Sequence, residues 1–233
     1  DLQKLECYKC KKLLAENLVL PKGLCVYCAA DEADQLPQPQ KQPKTSKKEE
    51  NAQIKAEKEL AMRILARKRM LPFVEKFNPD YQAGWVHKDV CRRLEKFSQD
   101  VAEKKSPRLM LFMPPRHGKS TLASIAFPAW HLGRNPGHEF ISCSYSGSLA
   151  MSFSRKVRSV LREPNYKNVF ESTKLDKDSQ SVESWQTTEG GGYVAAGVGG
   201  GITGKGAHVL LIDDPVKNRE DAESENNREA TWD

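Results

Sequence analysis

The sequence predicts an α/β fold with a mainly parallel sheet, preceded by a small four-cysteine knuckle. Three observations predict it. Short apolar runs alternate with helical stretches beyond residue 100, the tripeptide Gly118-Lys119-Ser120 follows the first of those runs, and two C-x-x-C pairs stand within the first 30 residues.

The 233 residues and their 38% hydrophobic content suffice for one domain of ordinary size and a small appendage. The net charge of +6 is not evenly spread. Residues 41–70 hold ten Lys and Arg against four Glu, while the rest balances at 27 against 27. A local basic stripe attracts polyanions, of which DNA is the commonest; the competing reading is a plain solvated helix face. No run of 18 apolar residues occurs and the first residues lack the profile of a secretory signal, so the sequence reads as soluble and intracellular, with no membrane partner.

In chain order, residues 1–30 carry Cys7, Cys10, Cys25 and Cys28 with fourteen residues between the pairs. That spacing predicts a tetrahedral Zn²⁺ site, which stabilises a module too small to hold itself together. Cys91 and Cys143 are left over and read as small buried apolar residues. Residues 31–47, rich in Gln, Pro and Lys, read as a linker. Apolar residues at helical spacing predict a helix over residues 48–71, ended by Pro72, and a second over 84–101. The domain reading is therefore 1–30 zinc module, 31–71 basic linker and helix, and 72–233 α/β domain.

Within that domain, residues 109–113 (Leu-Met-Leu-Phe-Met) predict a buried parallel strand leading into a helix near Lys119. A second strand is expected over 140–144, a helix over 148–161, and a third core strand over 209–212. Residues 184–188 and 193–196 suggest a short antiparallel pair around Gly190-Gly191-Gly192.

The chemistry concentrates at two places. Met113-Pro114-Pro115-Arg116-His117-Gly118-Lys119-Ser120 matches the phosphate loop G-x-x-x-x-G-K-[ST] with Met113 in place of the first Gly. Such a loop needs backbone N–H groups facing the phosphates, a Gly where the chain passes closest, a Lys for the β/γ-phosphates and a hydroxyl for Mg²⁺. Pro115, Arg116, His117, Gly118, Lys119, Ser120 and Thr121 are thus the nucleotide-binding candidates. The other place is His208-Val209-Leu210-Leu211-Ile212-Asp213-Asp214, an apolar strand that delivers two carboxylates to its C-terminal end. Ligands of open α/β sheets bind there, so Asp213 and Ser120 can share one Mg²⁺, with Asp214 placed to activate water. By contrast, residues 199–206, also Gly-rich with a Lys, precede a strand rather than a helix; they read as a connecting loop in which Lys205 is available to a DNA phosphate.

These elements, with Ser144-Tyr145-Ser146, Arg155 and Arg158, residues 199–207 and Ile212-Asp213-Asp214-Pro215-Val216-Lys217, resemble phage terminase large subunits over about residues 80–233. The resemblance implies a RecA-like P-loop ATPase that moves double-stranded DNA into a capsid. It implies ATP and Mg²⁺ as cofactors, Lys119, Asp214 and Arg116 as catalytic residues, and Tyr81 and His87 in the segment that contacts adenine. It further implies a small terminase subunit and a capsid portal as partners, a ring oligomer during packaging, and action in the host cytoplasm. The family's nuclease domain and its last core strands are expected beyond this sequence. Two other readings stay open: a helicase-like or DNA-remodelling P-loop ATPase, and a zinc-bearing DNA-binding adaptor with a degenerate nucleotide loop.

Overall fold

The computed structural model describes residues 4–6, 11, 13–15 and 47–232. The four cysteines of the expected zinc module lie outside them. The chain divides into two units, Asp1–Gln53 and Ile54–Asp233. In the first, β1 (Lys4–Glu6) and β2 (Leu13–Ala15) form an antiparallel pair, and they bracket Cys7 and Cys10 in the sequence.

Helix α1 (Lys47–Lys68) is followed at once by α2 (Met70–Phe77), so Pro72 does not end the first helix but sits in the first turn of the second. The reason is steric. Proline has no N–H and its ring crowds the carbonyl four residues back, here Lys68, where α1 stops; in a first turn the missing N–H costs nothing. Arg69 takes the extended conformation between the two helices, and Glu95 of α3 (Trp85–Ala102) accepts from Met70 N (2.7 Å) and Arg69 Nε (2.8 Å). Where the sequence sets the expected domain boundary at residue 72, the division falls at Ile54. The end of α1 belongs to the second unit and packs within it through buried Ala66, the Trp130 indole donating to Ala66 O and Arg67 Nε donating to Val169 O.

From Lys119 the chain is helical in two geometries, a π-helical turn (Thr121–Ala126) running into α4 (Phe127–Arg134). Then come β3 (Glu139–Ser144), α5 (Gly147–Arg162), α6 (Pro164–Val169), β4 (Leu175–Gln180), β5 (Ser184–Thr187), β6 (Gly192–Gly197) and β7 (Val209–Asp213), with α7 (Arg219–Glu223) and α8 (Glu225–Trp232) last.

The sheet order is β4-β5-β6-β3-β7. It is mixed, not mainly parallel: β3 pairs in parallel with β6 and β7, whereas β5 is antiparallel to both β4 and β6. The expected hairpin thus exists and is built into the main sheet. A tight turn can join only antiparallel strands, and Gly190, at φ +82°, makes that turn. Trp185, Tyr193 and Phe140 are register partners on β5, β6 and β3, and their rings stack at 5.2 and 5.5 Å, tying the hairpin to the parallel half.

Residues 109–113 are not a strand. They keep a strand's alternation, since Leu109, Leu111 and Met113 pack on the core while Met110 and Phe112 are 82% and 89% exposed. What they lack is a hydrogen-bonded neighbour among the described residues, and β7 at the sheet's end likewise turns Leu210 and Ile212 outward. Side-chain burial sets alternation, but only a partner's backbone makes a ladder. Cys91 and Cys143 are buried, as expected, and burial pushes the Cys91 thiol up to about 12. No helix among the described residues is long and apolar enough to cross a membrane.

Candidate functional site

The C-terminal ends of β3 and β7 stand side by side, Ser144 in register with Asp213. Asp213 is buried at the last position of β7; Asp214 follows it, exposed and at φ +49°, with its carbonyl accepting from Tyr145 N (3.1 Å). A non-glycine residue in left-handed conformation is uncommon and Asp is among those that tolerate it, so the backbone turns sharply between the two carboxylates.

Against them stands the loop at residues 114–118. Arg116 and Gly118 both have positive φ, +64° and +81°. Gly118 suits its place on two counts, its positive φ and an approach in which an added Cβ would stand 3.2 Å from the Tyr81 hydroxyl. His117 Nδ1 bonds its own loop at Pro115 O (2.8 Å). His87 spans from α3 to the loop: its Nδ1 accepts from Gly84 N (2.9 Å), so its Nε2 carries the proton and donates to His117 O (3.1 Å). Tyr81 packs edge-on to that ring at 5.6 Å. Tyr81 and His87 therefore lie against the loop backbone itself, while neighbouring Trp85 is 81% exposed.

Lys119 opens the helix after the loop. Its ammonium donates to the Asp214 carboxylate and lies 3.4 Å from Asp213 Oδ1. Burial acts to lower its pKa, but the bond to Asp214 and the charges of both carboxylates outweigh burial, and the pKa is raised. Ser120 and Thr121 are half-buried at the helix start and Arg116 is exposed on the loop. The hydroxyl bonded to Asp213 is that of Ser124, whose Oγ donates to Oδ2 at 2.7 Å in a buried contact.

The structure thus brings Gly118, Lys119, Asp213 and Asp214 together, with Ser144, Tyr81 and His87 around them; a hollow of about 400 Å³, lined by Leu111, Phe112, Met113, Pro114 and Lys119, opens beside them. Sequence reasoning missed Ser124, because α-helical spacing from Lys119 directs it elsewhere. It also missed a second cluster at the opposite end of the strands. There Ser98 Oγ meets His131 Nδ1 (2.8 Å), His131 Nε2 meets His138 Nδ1 (3.1 Å), and His138 stacks on His208 at 4.3 Å. Single histidines scattered along the chain carry no local signal of such a cluster.

A helix start behind a glycine turn, facing two carboxylates at the end of a parallel strand, places the candidate site of this α/β protein at the carboxyl edge of its sheet. The family model described as terminase large subunit, T4likevirus-type, N-terminal, matches residues 110–233, more than half of the chain, and the chain belongs to that family. Terminase large subunits serve viral DNA packaging and are generally ATPases. No curated protein matches the chain.

Proposed function

We propose that the unit from Ile54 onward binds and hydrolyses ATP, and that the chain is the motor part of a machine that drives double-stranded DNA into a capsid. The observation that carries this reading is the meeting of Lys119 with Asp213 and Asp214 beside the Gly118 turn. An ammonium at a helix start, where unpaired N–H groups and the positive end of the helix dipole also point, is matched to the β/γ-phosphates.

The donor set fits Mg²⁺, a hard cation that takes oxygen ligands. Asp213 and the Ser120 hydroxyl would hold it. The buried Ser144 hydroxyl, level with Asp213, has no hydrogen-bond partner among the described residues, so oxygen donors are not exhausted there. Bound there, Mg²⁺ would neutralise charge on the phosphates. Asp214, bonded to Lys119 but more exposed than Asp213, is the candidate carboxylate to orient water, and Arg116 on the loop is the candidate for charge developing on the γ-phosphate. Pro115, His117, Gly118 and Thr121 line the phosphate path, with Tyr81 and His87 bracing it on the side expected to receive adenine.

Beyond the nucleotide, Cys7, Cys10, Cys25 and Cys28 are proposed to hold Zn²⁺, since four thiolates in two C-x-x-C pairs form a tetrahedral set. The basic residues of α1 are proposed to meet the DNA backbone. A small terminase subunit, a capsid portal, ring assembly and action in the host cytoplasm complete the reading.

The test is nucleotide binding by the 233-residue chain, followed with a fluorescent ATP analogue, and ATP turnover with and without blunt duplex DNA. Saturable binding that requires Lys119, and turnover stimulated by duplex without strand separation, support the motor. Strand separation would favour a helicase-like enzyme, and absence of binding would leave a DNA-binding adaptor.

A further inference from the structure

We infer that Ser124, placed by the π-helical turn, is a positioning residue for the Asp213 carboxylate and through it for the divalent cation. This rests on the nucleotide-binding reading above.

Two side chains from one helical run reach Asp213. Lys119 Nζ lies 3.4 Å from Oδ1 and Ser124 Oγ donates to Oδ2 at 2.7 Å. They are five residues apart. In an α-helix, at 3.6 residues per turn, side chains five apart leave the axis roughly 140° apart, so ideal α geometry points Ser124 away from the side of Lys119. The π geometry of Thr121–Ala126, seen in the i to i+5 bond from Phe127 N to Leu122 O, turns Ser124 back toward the side of Lys119. α-Helix resumes at Phe127.

Pro128 has no N–H and its ring crowds the carbonyl four residues back, here Ser124, so the π turn falls where the sequence already interrupts the α-helical ladder. The Ser124–Asp213 bond uses that turn: both residues are buried, and a carboxylate oxygen left unpaired there is costly. The bond also divides the carboxylate. Oδ2 is engaged inside the protein, which sets the plane of the group and leaves Oδ1 toward Lys119 and the loop. A cation held by Asp213 therefore finds a ligand already oriented, as outer partners of metal-binding carboxylates generally provide.

The experiment measures affinity for the fluorescent ATP analogue with and without Mg²⁺, in the 233-residue chain and its variants. The ratio of the two affinities reports the cation's share of binding without requiring turnover. In Ser124→Ala that ratio is expected to fall by about tenfold, as when an outer partner of a metal ligand is removed, with affinity in the absence of Mg²⁺ within about twofold of the parent. Ser124→Thr, which keeps the hydroxyl, restores the ratio. Ser124→Cys, close to serine in size with a weak donor, provides the same comparison should the alanine variant not fold. A merely structural role for Ser124 would alter affinity with and without Mg²⁺ alike. An unchanged ratio in the alanine or cysteine variant, or a threonine variant as impaired as alanine, overturns the inference while leaving the nucleotide site standing. No binding by the parent chain would instead overturn the nucleotide reading itself, and this inference with it.

Discussion

Lys119 and Asp214, 95 positions apart in the chain, are bonded side chain to side chain, and the same ammonium lies 3.4 Å from Asp213. One cation is therefore shared between the helix start and two carboxylates of different exposure, 7% for the Asp213 side chain and 57% for Asp214. The two residues are expected to fail at different steps. Lys119→Ala removes the ammonium proposed to meet the β/γ-phosphates, so ATP binding and turnover are expected to be lost together. Asp214→Asn keeps the shape and tolerates the left-handed backbone as Asp does, but removes the carboxylate proposed to position water. Turnover is expected to fall by roughly 10² to 10⁴-fold with ATP affinity nearly unchanged, measured by steady-state kinetics beside analogue binding. Normal turnover in Asp214→Asn would move that role to another acid.

Acid is expected to destabilise the second unit through His131. Burial first, then the charges of His138, Arg134 and His208, hold its imidazole down to about 3 from a usual value near 6.5. Its contribution is fully present above 6.5, where both folded and unfolded chains carry it neutral. As pH falls from 6.5 toward 3 the unfolded chain takes a proton that the folded one refuses, and that stability is lost. Urea unfolding of the parent and of His131→Asn, from about pH 7 to about pH 4, checks this. The variant's pH slope should be shallower by up to about 1.4 kcal/mol per pH unit, one proton's worth. Parallel slopes would remove His131 from the account.

On α1, not all basic residues are equally available to DNA. Arg67, Arg69, Lys47, Lys48 and Lys68 are all exposed, but Arg67 donates to Val169 O and pairs with Glu171, and Arg69 just beyond the helix bonds Glu95, which ties both side chains to the protein, unlike those of the three lysines. Neutralising those three lysines is expected to weaken duplex binding irrespective of sequence. It should also make log affinity less steep against log salt, by about one unit for each phosphate that a lysine no longer neutralises. Replacing Arg67 or Arg69 should instead lower thermal stability. An unchanged salt slope after the triple lysine change would leave α1 a solvated face.

Chelation is expected to unfold residues 1–30 while the unit from Ile54 onward stays folded, because the Pro- and Lys-rich segment between carries little apolar residue to transmit a collapse. Elemental analysis should find one zinc per chain, and calorimetry with and without chelator should separate two transitions. A chain purified without zinc, or a single transition abolished by chelator, counts against a separable module.

The candidate-site residues that stand next to one another in the chain were legible in the sequence. Gly118, Lys119 and Ser120 advertise a loop because glycine takes positive φ without strain and because a loop-to-helix junction presents its N–H groups; Asp213 and Asp214 advertise a strand end because the four apolar residues before them need a sheet. The ends of α3, α5, β3 and β7 followed from periodicity within a residue or two. What depended on partners far along the chain was not legible. Residues 109–113 have the apolar pattern of a strand, yet a ladder requires a neighbour's backbone. Pro72 marks a helix break, but whether it closes one helix or opens the next was decided by Glu95 capping Met70 from 25 positions away. The mixed sheet arose because β6 serves two neighbours, antiparallel to β5 through a turn and parallel to β3 through stacked rings. Ser124 is the sharpest case. Pro128 interrupts the α-helical ladder at Ser124 locally, but that the widened turn delivers the Ser124 hydroxyl to the buried carboxylate of Asp213, 89 positions away, was decided by the tertiary structure, where a buried carboxylate oxygen needs a donor.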